Sequence, residues 1–256
     1  MFIQGTVYTK SACIIIHGTW AQNESWYRPS GEFFQAVQSS AQELDIVDEV
    51  ISFTWSGKLG DGAHYQAACD LAYVIMKYDF VILVAHSHGV TIGLISSHIL
   101  SENISNCVNY EKIDKFYALG APIHELTVTP NLNVIKKFYN LFSFGDLVQT
   151  INGSCERVFC KKDRLVNISV QLSGLHPSHS QLHHPAIGKD LLKIDEYFAK
   201  KQVGGFEKFC FNHPAMICFY PYKLPDYQIQ EDQDQLLKSD KDFHRLINLA
   251  FLRKKN

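Results

Sequence analysis

The amino-acid sequence predicts an α/β protein in which a mostly parallel central sheet is covered by helices on both faces and followed by a C-terminal extension. Short apolar runs rich in β-branched and aromatic residues alternate with longer stretches of helical period, the pattern of parallel strands joined by crossover helices. At 256 residues the chain can bury one sizeable core. With 46% apolar and 20% charged residues, its composition is that of a soluble globular protein.

The strand candidates are residues 12–16, 47–55, 80–85, 113–118, 137–142 and 165–172. Between the first two, Phe33, Phe34, Val37, Ala41 and Leu44 form one helical face, and Ala68, Leu71, Ala72 and Ile75 form another before the third. Residues 91–100 are apolar nearly all round and follow the strongest strand directly, which makes this the most buried helix, with Gly93 where it could approach a neighbour closely. Ile187, Leu191, Ile194 and Phe198 continue one helical stripe as the last helix of the core, with Pro185 suited to its first turn. From Gly204 the composition shifts to an aromatic stretch (Phe206, Phe209, Phe211, Phe219, Tyr220, Tyr222), an acidic linker and a helix starting near Ser239. That helix has Ser239 and Asp242 at capping-box spacing and Phe243, Leu246, Ile247, Ala250 and Phe251 on one face. The expected organisation is a core domain over residues 1–203 and an extension, residues 204–256, packed on it.

The formal charge of -2, with no long basic run before Arg253, Lys254 and Lys255, gives no electrostatic reason for a nucleic-acid partner. Seven cysteines are an odd number without metal-ribbon spacing, and several lie in apolar runs, so they read as reduced, buried thiols. No charged leader precedes an apolar stretch in residues 1–10, and residues 12–16 are too few to span a bilayer, so the expectation is a cytoplasmic protein without a transmembrane segment. The four Asn-x-Ser sequons at Asn23, Asn103, Asn152 and Asn167 read as chance in that setting.

Chemistry concentrates at Val81-Ile82-Leu83-Val84-Ala85-His86-Ser87-His88-Gly89, a β run ending in small-x-Ser-x-Gly and followed at once by a helical pattern. A sharp strand-to-helix turn holds such a serine in a strained conformation with its hydroxyl projecting free, and small residues two before and two after it avoid clashes. Gly89 meets that requirement, and Ala85 replaces the usual first glycine at the cost of a methyl group. The helix start also points backbone N–H groups and a positive dipole end at developing negative charge. These residues resemble the nucleophile elbow of α/β-hydrolase esterases and lipases. Upstream, Cys13-Ile14-Ile15-Ile16 runs into His17-Gly18-Thr19-Trp20, similar to the superfamily's His-Gly oxyanion loop, and Ala118-Leu119-Gly120-Ala121-Pro122 resembles the strand-end Gly-x-Pro of many lipases. The resemblance covers roughly residues 12–198 and leaves the extension unaddressed. It implies an α/β-hydrolase catalytic domain over residues 1–203, with Ser87 as nucleophile and the backbone N–H groups of Thr19 and His88 as the oxyanion hole. It also implies that His17 is structural.

The superfamily order is Ser, acid, His, each on a loop at the C-terminal end of a strand. Asp146 closes the turn Ser143-Phe144-Gly145-Asp146 after a strand candidate and is the expected acid. Asp114 and Asp163 precede strands, and Asp190 and Asp195 lie in a helical pattern, so all four read as solvated surface groups. The loop after residue 172 carries His176, His179, His183 and His184. His179, followed by Ser180, best resembles the superfamily's His-Ser loop and is the expected base. The rival for His176, His179 and His183 is a metal site, which lacks a shared helical face and any accompanying Cys or carboxylate motif.

The expected function is a carboxylesterase or lipase-like serine hydrolase that needs no cofactor and no metal and acts on a small-molecule or lipid ester. A thioesterase or amidase shares the same apparatus. Two further alternatives are a non-catalytic binding or effector protein on the same fold, and a peripheral membrane contact through the aromatic segment and basic C-terminal helix.

Overall fold

The computed structural model describes residues 10–103, 111–123, 128–149, 157–160, 162–200, 209–211 and 215–222. In chain order these form β1 (Ser11–Ile16), α1 (Glu32–Leu44), β2 (Glu49–Phe53), α2 (Asp61–Ile75), β3 (Phe80–His86), α3 (His88–Asn103), β4 (Ile113–Leu119), β5 (Ile135–Phe142) and β6 (Leu165–Leu172). A 3-10 turn (Ser180–His183), α4 (Pro185–Leu191), α5 (Ile194–Lys200), β7 (Phe209–Phe211) and β8 (Ile217–Pro221) follow. All six predicted strands form, with ends shifted by a few residues.

The strands make one 8-stranded sheet in the order β2-β1-β3-β4-β5-β6-β8-β7. Strands β1 to β6 are mutually parallel, and the β7–β8 hairpin adds antiparallel strands beyond β6. The protein is therefore α/β with a mostly parallel sheet. From β1 the chain moves outward to β2, then returns to place β3 on the other side of β1. The strand order thus reverses between β1 and β3, and in open α/β sheets the crevice at the C-terminal ends of such strands is where ligands bind.

Successive side chains point to opposite faces, so each strand feeds two cores. Ala12, Ile14, Ile16, Leu83, Phe116 and Phe138 pack with Leu71 and Ile92 on one face. Cys13, Ile15, Val84, Tyr117, Leu141 and Val170 pack with Phe34, Val37 and Ile187 on the other. Helices α2 and α3 accordingly lie together on the first face and α1 and α4 on the second. Among the described residues no helix is long and apolar enough to cross a membrane.

Four readings change. The single last helix is two, α4 and α5, separated at Leu192 and Lys193, with Leu191, Leu192 and Ile194 all buried. Asp190 is buried, and Asp195 and Asp114 belong to an ionic cluster instead of lying free in solvent. Lys137 bridges to Asp195 at 2.7 Å, Lys115 to Asp114 at 2.7 Å and Lys136 to Asp114 at 3.1 Å, and the Tyr139 hydroxyl donates to Asp195. The aromatic part of the extension supplies two strands of the same sheet, with Phe219 wholly buried; the helix expected from Ser239 lies outside the described residues. Finally, Cys13, Cys160 and Cys218 are buried thiols as expected, but Cys69 is half-buried and Cys210 exposed.

Gly93 is where α3 crosses the sheet, and a Cβ there would lie 2.5 Å from Phe116 Cζ. Phe116 is itself fully buried and packed edge-on against Phe138, so it has nowhere to move. Gly93→Ala should therefore destabilise the protein by about 1–3 kcal/mol in urea unfolding. An unchanged midpoint would show that this crossing is looser than its geometry indicates.

Candidate functional site

Ser87 is the single residue between β3 and α3, and its φ is 55°. That left-handed conformation costs a non-glycine residue about 1–2 kcal/mol, and hydrogen bonds on both sides enforce it. The Ser87 N–H donates to the Leu119 carbonyl at the end of β4 (2.9 Å), and the Ser87 carbonyl accepts from Val90 N–H (2.9 Å) in the first turn of α3. The side chain is not as free as the sequence suggests: Ser87 is only 9% exposed, because the loop after β1 closes over it.

That loop is His17-Gly18-Thr19-Trp20. A Cβ on Gly18 would lie 2.8 Å from Ser87 Cβ and one on Gly89 2.6 Å from the His17 carbonyl, so only glycines allow loop, strand and helix to meet this closely. Thr19 Oγ1 lies 2.9 Å from His88 Nδ1, bringing together the two residues whose N–H groups the resemblance assigns to an oxyanion. His17 is wholly buried. Its Nε2 accepts from Trp55 N–H (3.2 Å), which leaves the proton on Nδ1 to be donated to the Gly18 carbonyl (2.7 Å). The Trp55 indole N–H donates to the His17 carbonyl at 2.9 Å. Burial holds the His17 imidazole below its ordinary pKa, so His17 is a neutral strut for the loop.

Asp146 follows β5 and its side chain has no exposed surface. Oδ1 accepts from the N–H groups of Val148 (3.0 Å) and Gln149 (3.3 Å), and Oδ2 lies 2.7 Å from His179 Nδ1. With a carboxylate as acceptor, Nδ1 is the donating ring nitrogen of His179 and Nε2 faces away from Asp146. The two loops are pressed together: a Cβ on Gly145 would lie 2.3 Å from the His176 carbonyl. Gly120, with a φ of 59°, completes the junction, since a Cβ there would lie 3.1 Å from Asp146 Oδ2 and 3.2 Å from His179 Cε1. Gly120 directly follows Leu119, the residue that holds Ser87. The structure thus gathers Ser87, Asp146 and His179 around the end of β4, with Thr19 and His88 beside Ser87.

The remaining histidines of the loop have other occupations. His176 stands edge-on to Phe144, His184 caps α4 by accepting the Ala186 N–H at 3.2 Å, and His183 stacks on Trp26 with centroids 4.2 Å apart and planes 10° apart. Among the described residues no group of three or more His, Cys, Asp or Glu is placed to hold a metal ion. Sequence reasoning gave no role to His86, although it adjoins Ser87. Its Nε2–H donates to the His179 carbonyl at 3.0 Å, and its ring lies 4.5 Å from that of His179, 4.9 Å from His183 and 5.6 Å from Trp26. His86 therefore ties the loop that carries His179 to the turn that carries Ser87. Trp26 is distant in sequence and carried no signal at all. At the same end of the sheet Trp20, Phe144, Leu147 and Val148 expose large apolar surfaces, Trp20 being 74% exposed. No protein-family model and no curated protein matches the chain.

Burial pushes His183 down to about 4, His86 well below the ordinary imidazole value of 6.5, and His64 below it as well. As pH falls through 6.5 the unfolded chain takes up protons that the folded chain refuses until a lower pH, so stability must fall with pH across that window. His183 alone contributes on the order of 3 kcal/mol to this loss. Urea unfolding from about pH 7 to about pH 4.5 should show the midpoint dropping steadily, and His183→Phe should reduce the drop. A flat profile would mean these rings are more open to water than their packing shows.

Proposed function

We propose that the protein is a serine hydrolase with an α/β-hydrolase catalytic core, cleaving a carboxylic or lipid ester through an acyl-enzyme on Ser87. The observation that carries this reading is the convergence of a strained serine at a strand-to-helix turn and a buried Asp146–His179 pair around the end of β4. The chain order Ser87, Asp146, His179 is that of the superfamily triad. The position at the strand-order reversal supports the reading independently of any motif.

In the proposed mechanism His179 Nε2 accepts the Ser87 hydroxyl proton as Oγ attacks the substrate carbonyl. Asp146 holds the ring through Nδ1–H and stabilises the imidazolium that forms. The backbone N–H groups of Thr19 and His88 receive the oxyanion, a contribution typically worth about 2.7–4 kcal/mol per donor. His179 then returns the proton to the leaving alkoxide, and water, activated by the same ring, releases the acid from Ser87. The apolar side chains of Trp20, Phe144, Leu147 and Val148 at this end of the sheet favour an ester with an apolar acyl part.

A fluorophosphonate probe tests the reading directly. It should label the wild-type chain on Ser87 and leave a folded Ser87→Ala variant unlabelled. A folded wild type that never labels and hydrolyses no nitrophenyl ester, whatever the chain length, would refute it.

The choice of base has its own test. His179→Ala should lose nearly as much turnover as Ser87→Ala, and the double variant should lose little more, because members of such a unit act together. His176→Ala and His184→Ala should keep most activity. If His179→Ala retains more than about a tenth of wild-type turnover, the proton acceptor is another group.

A further inference from the structure

The β7–β8 hairpin places two thiols against each other. Cys210 and Cys218 are directly opposed in the antiparallel register, between the pairs Phe209 with Phe219 and Phe211 with Ile217. Their Sγ atoms are 3.2 Å apart and not bonded. Directly opposed residues on antiparallel strands have Cβ atoms about 4.5–5.5 Å apart, close to the separation a disulfide spans, so closure needs only a small local adjustment. Cys218 is buried, while Cys210 is exposed on β7, the outermost strand among the described residues. An oxidant can therefore reach one sulfur, and the other is already in place to resolve the adduct.

We propose that Cys210 and Cys218 are a disulfide-forming pair that exchanges with low-molecular-weight disulfides such as oxidised glutathione. The Cys210 thiolate attacks one sulfur of the glutathione disulfide, forming a mixed disulfide and releasing one glutathione thiolate. The Cys218 thiolate then attacks the Cys210 sulfur, forming the intramolecular bond and releasing the second. The two protein thiols are oxidised, the glutathione disulfide is reduced to two thiols, and the two protons given up by the cysteines go to them.

The bond would act at a particular place. Strand β7 has three residues and, among the described residues, pairs with β8 alone. The end of the hairpin is tied to the loop that carries His179, since the Ser173 N–H donates to the carbonyls of Met216 (2.8 Å) and Ala215 (3.2 Å). Cross-linking β7 to β8 fixes this corner, including the Ser173 contacts, whereas the reduced hairpin is free to fray as a short edge strand does.

The test uses the full chain, freed of reductant and incubated with oxidised glutathione. Intact mass should fall by two hydrogens, peptide mapping should find Cys210 joined to Cys218, and alkylation of Cys210 should drop at least about tenfold. Cys218→Ser should instead accumulate the glutathione adduct on Cys210. Hydrogen exchange at the Ser173 amide should slow on oxidation of the wild type. A stable adduct on Cys210 in the wild type, or a bond from either cysteine to a different partner, would overturn the pairing. Unchanged exchange at Ser173 would overturn the link to the loop. None of these readouts depends on hydrolytic activity.

Discussion

A carboxylate with no access to water organises this end of the molecule. An isolated buried charge is prohibitively costly, so its oxygens must find donors. Asp146 finds them in the backbone of its own turn and in one imidazole from a loop that begins after a different strand. The demand propagates outward. Satisfying Oδ2 fixes the ring and tautomer of His179, and reaching His179 requires the Gly145 backbone to touch that of His176. Room for both comes from the missing side chain of Gly120 at the end of β4. The same strand end holds Ser87 in its strained conformation, so position and strain share one support.

Much of the fold is legible in the sequence because parallel strands buried on both faces read as uninterrupted apolar runs. The runs containing Ile14 and Leu83 could not be mistaken for anything half-exposed, whereas β6 around Ile168 alternates apolar residues with Asn167, Ser169 and Gln171 and is readable by its period of two instead. The β7–β8 hairpin is legible only as aromatic composition. Three residues from Phe209 to Phe211 are too few to show a period, and nothing local says that Phe219 will be buried beside β6. The break between α4 and α5 escaped for a related reason. A helical spacing test accepts Ile187, Leu191 and Ile194 as one stripe and does not ask what Leu192 buries against.

Of the candidate site, the parts written locally were readable: the turn at Ser87, the His-Gly loop, and a carboxylate and a histidine in the right order after later strands. The four histidines on one loop could be ranked only by the resemblance of His179-Ser180 to a superfamily loop, not by any physical signal in the residues themselves. They are separated by partners that come from elsewhere in the chain: Asp146 for His179, Trp26 for His183, Phe144 for His176. The contact between His86 and the His179 carbonyl spans 93 positions and has no periodicity to reveal it. Asp195 and Asp114 read as solvated because Lys137 and Lys136 are brought to them only by the docking of α5 and the pairing of β4 with β5.

The three tryptophans occupy three different optical environments. Trp20 stands almost wholly in solvent on the loop after β1, Trp55 is buried in parallel stack with the neutral His17, and Trp26 is buried face to face with His183. An indole in water emits at longer wavelength than one in a packed core, and a protonated imidazole on an indole face quenches it. The intrinsic fluorescence of this chain is therefore separable by colour: the red edge belongs to whatever covers Trp20, and the blue edge dims when the ring on Trp26 gains a proton. The protein carries its own spectroscopic labels at the end of the sheet where Ser87 lies.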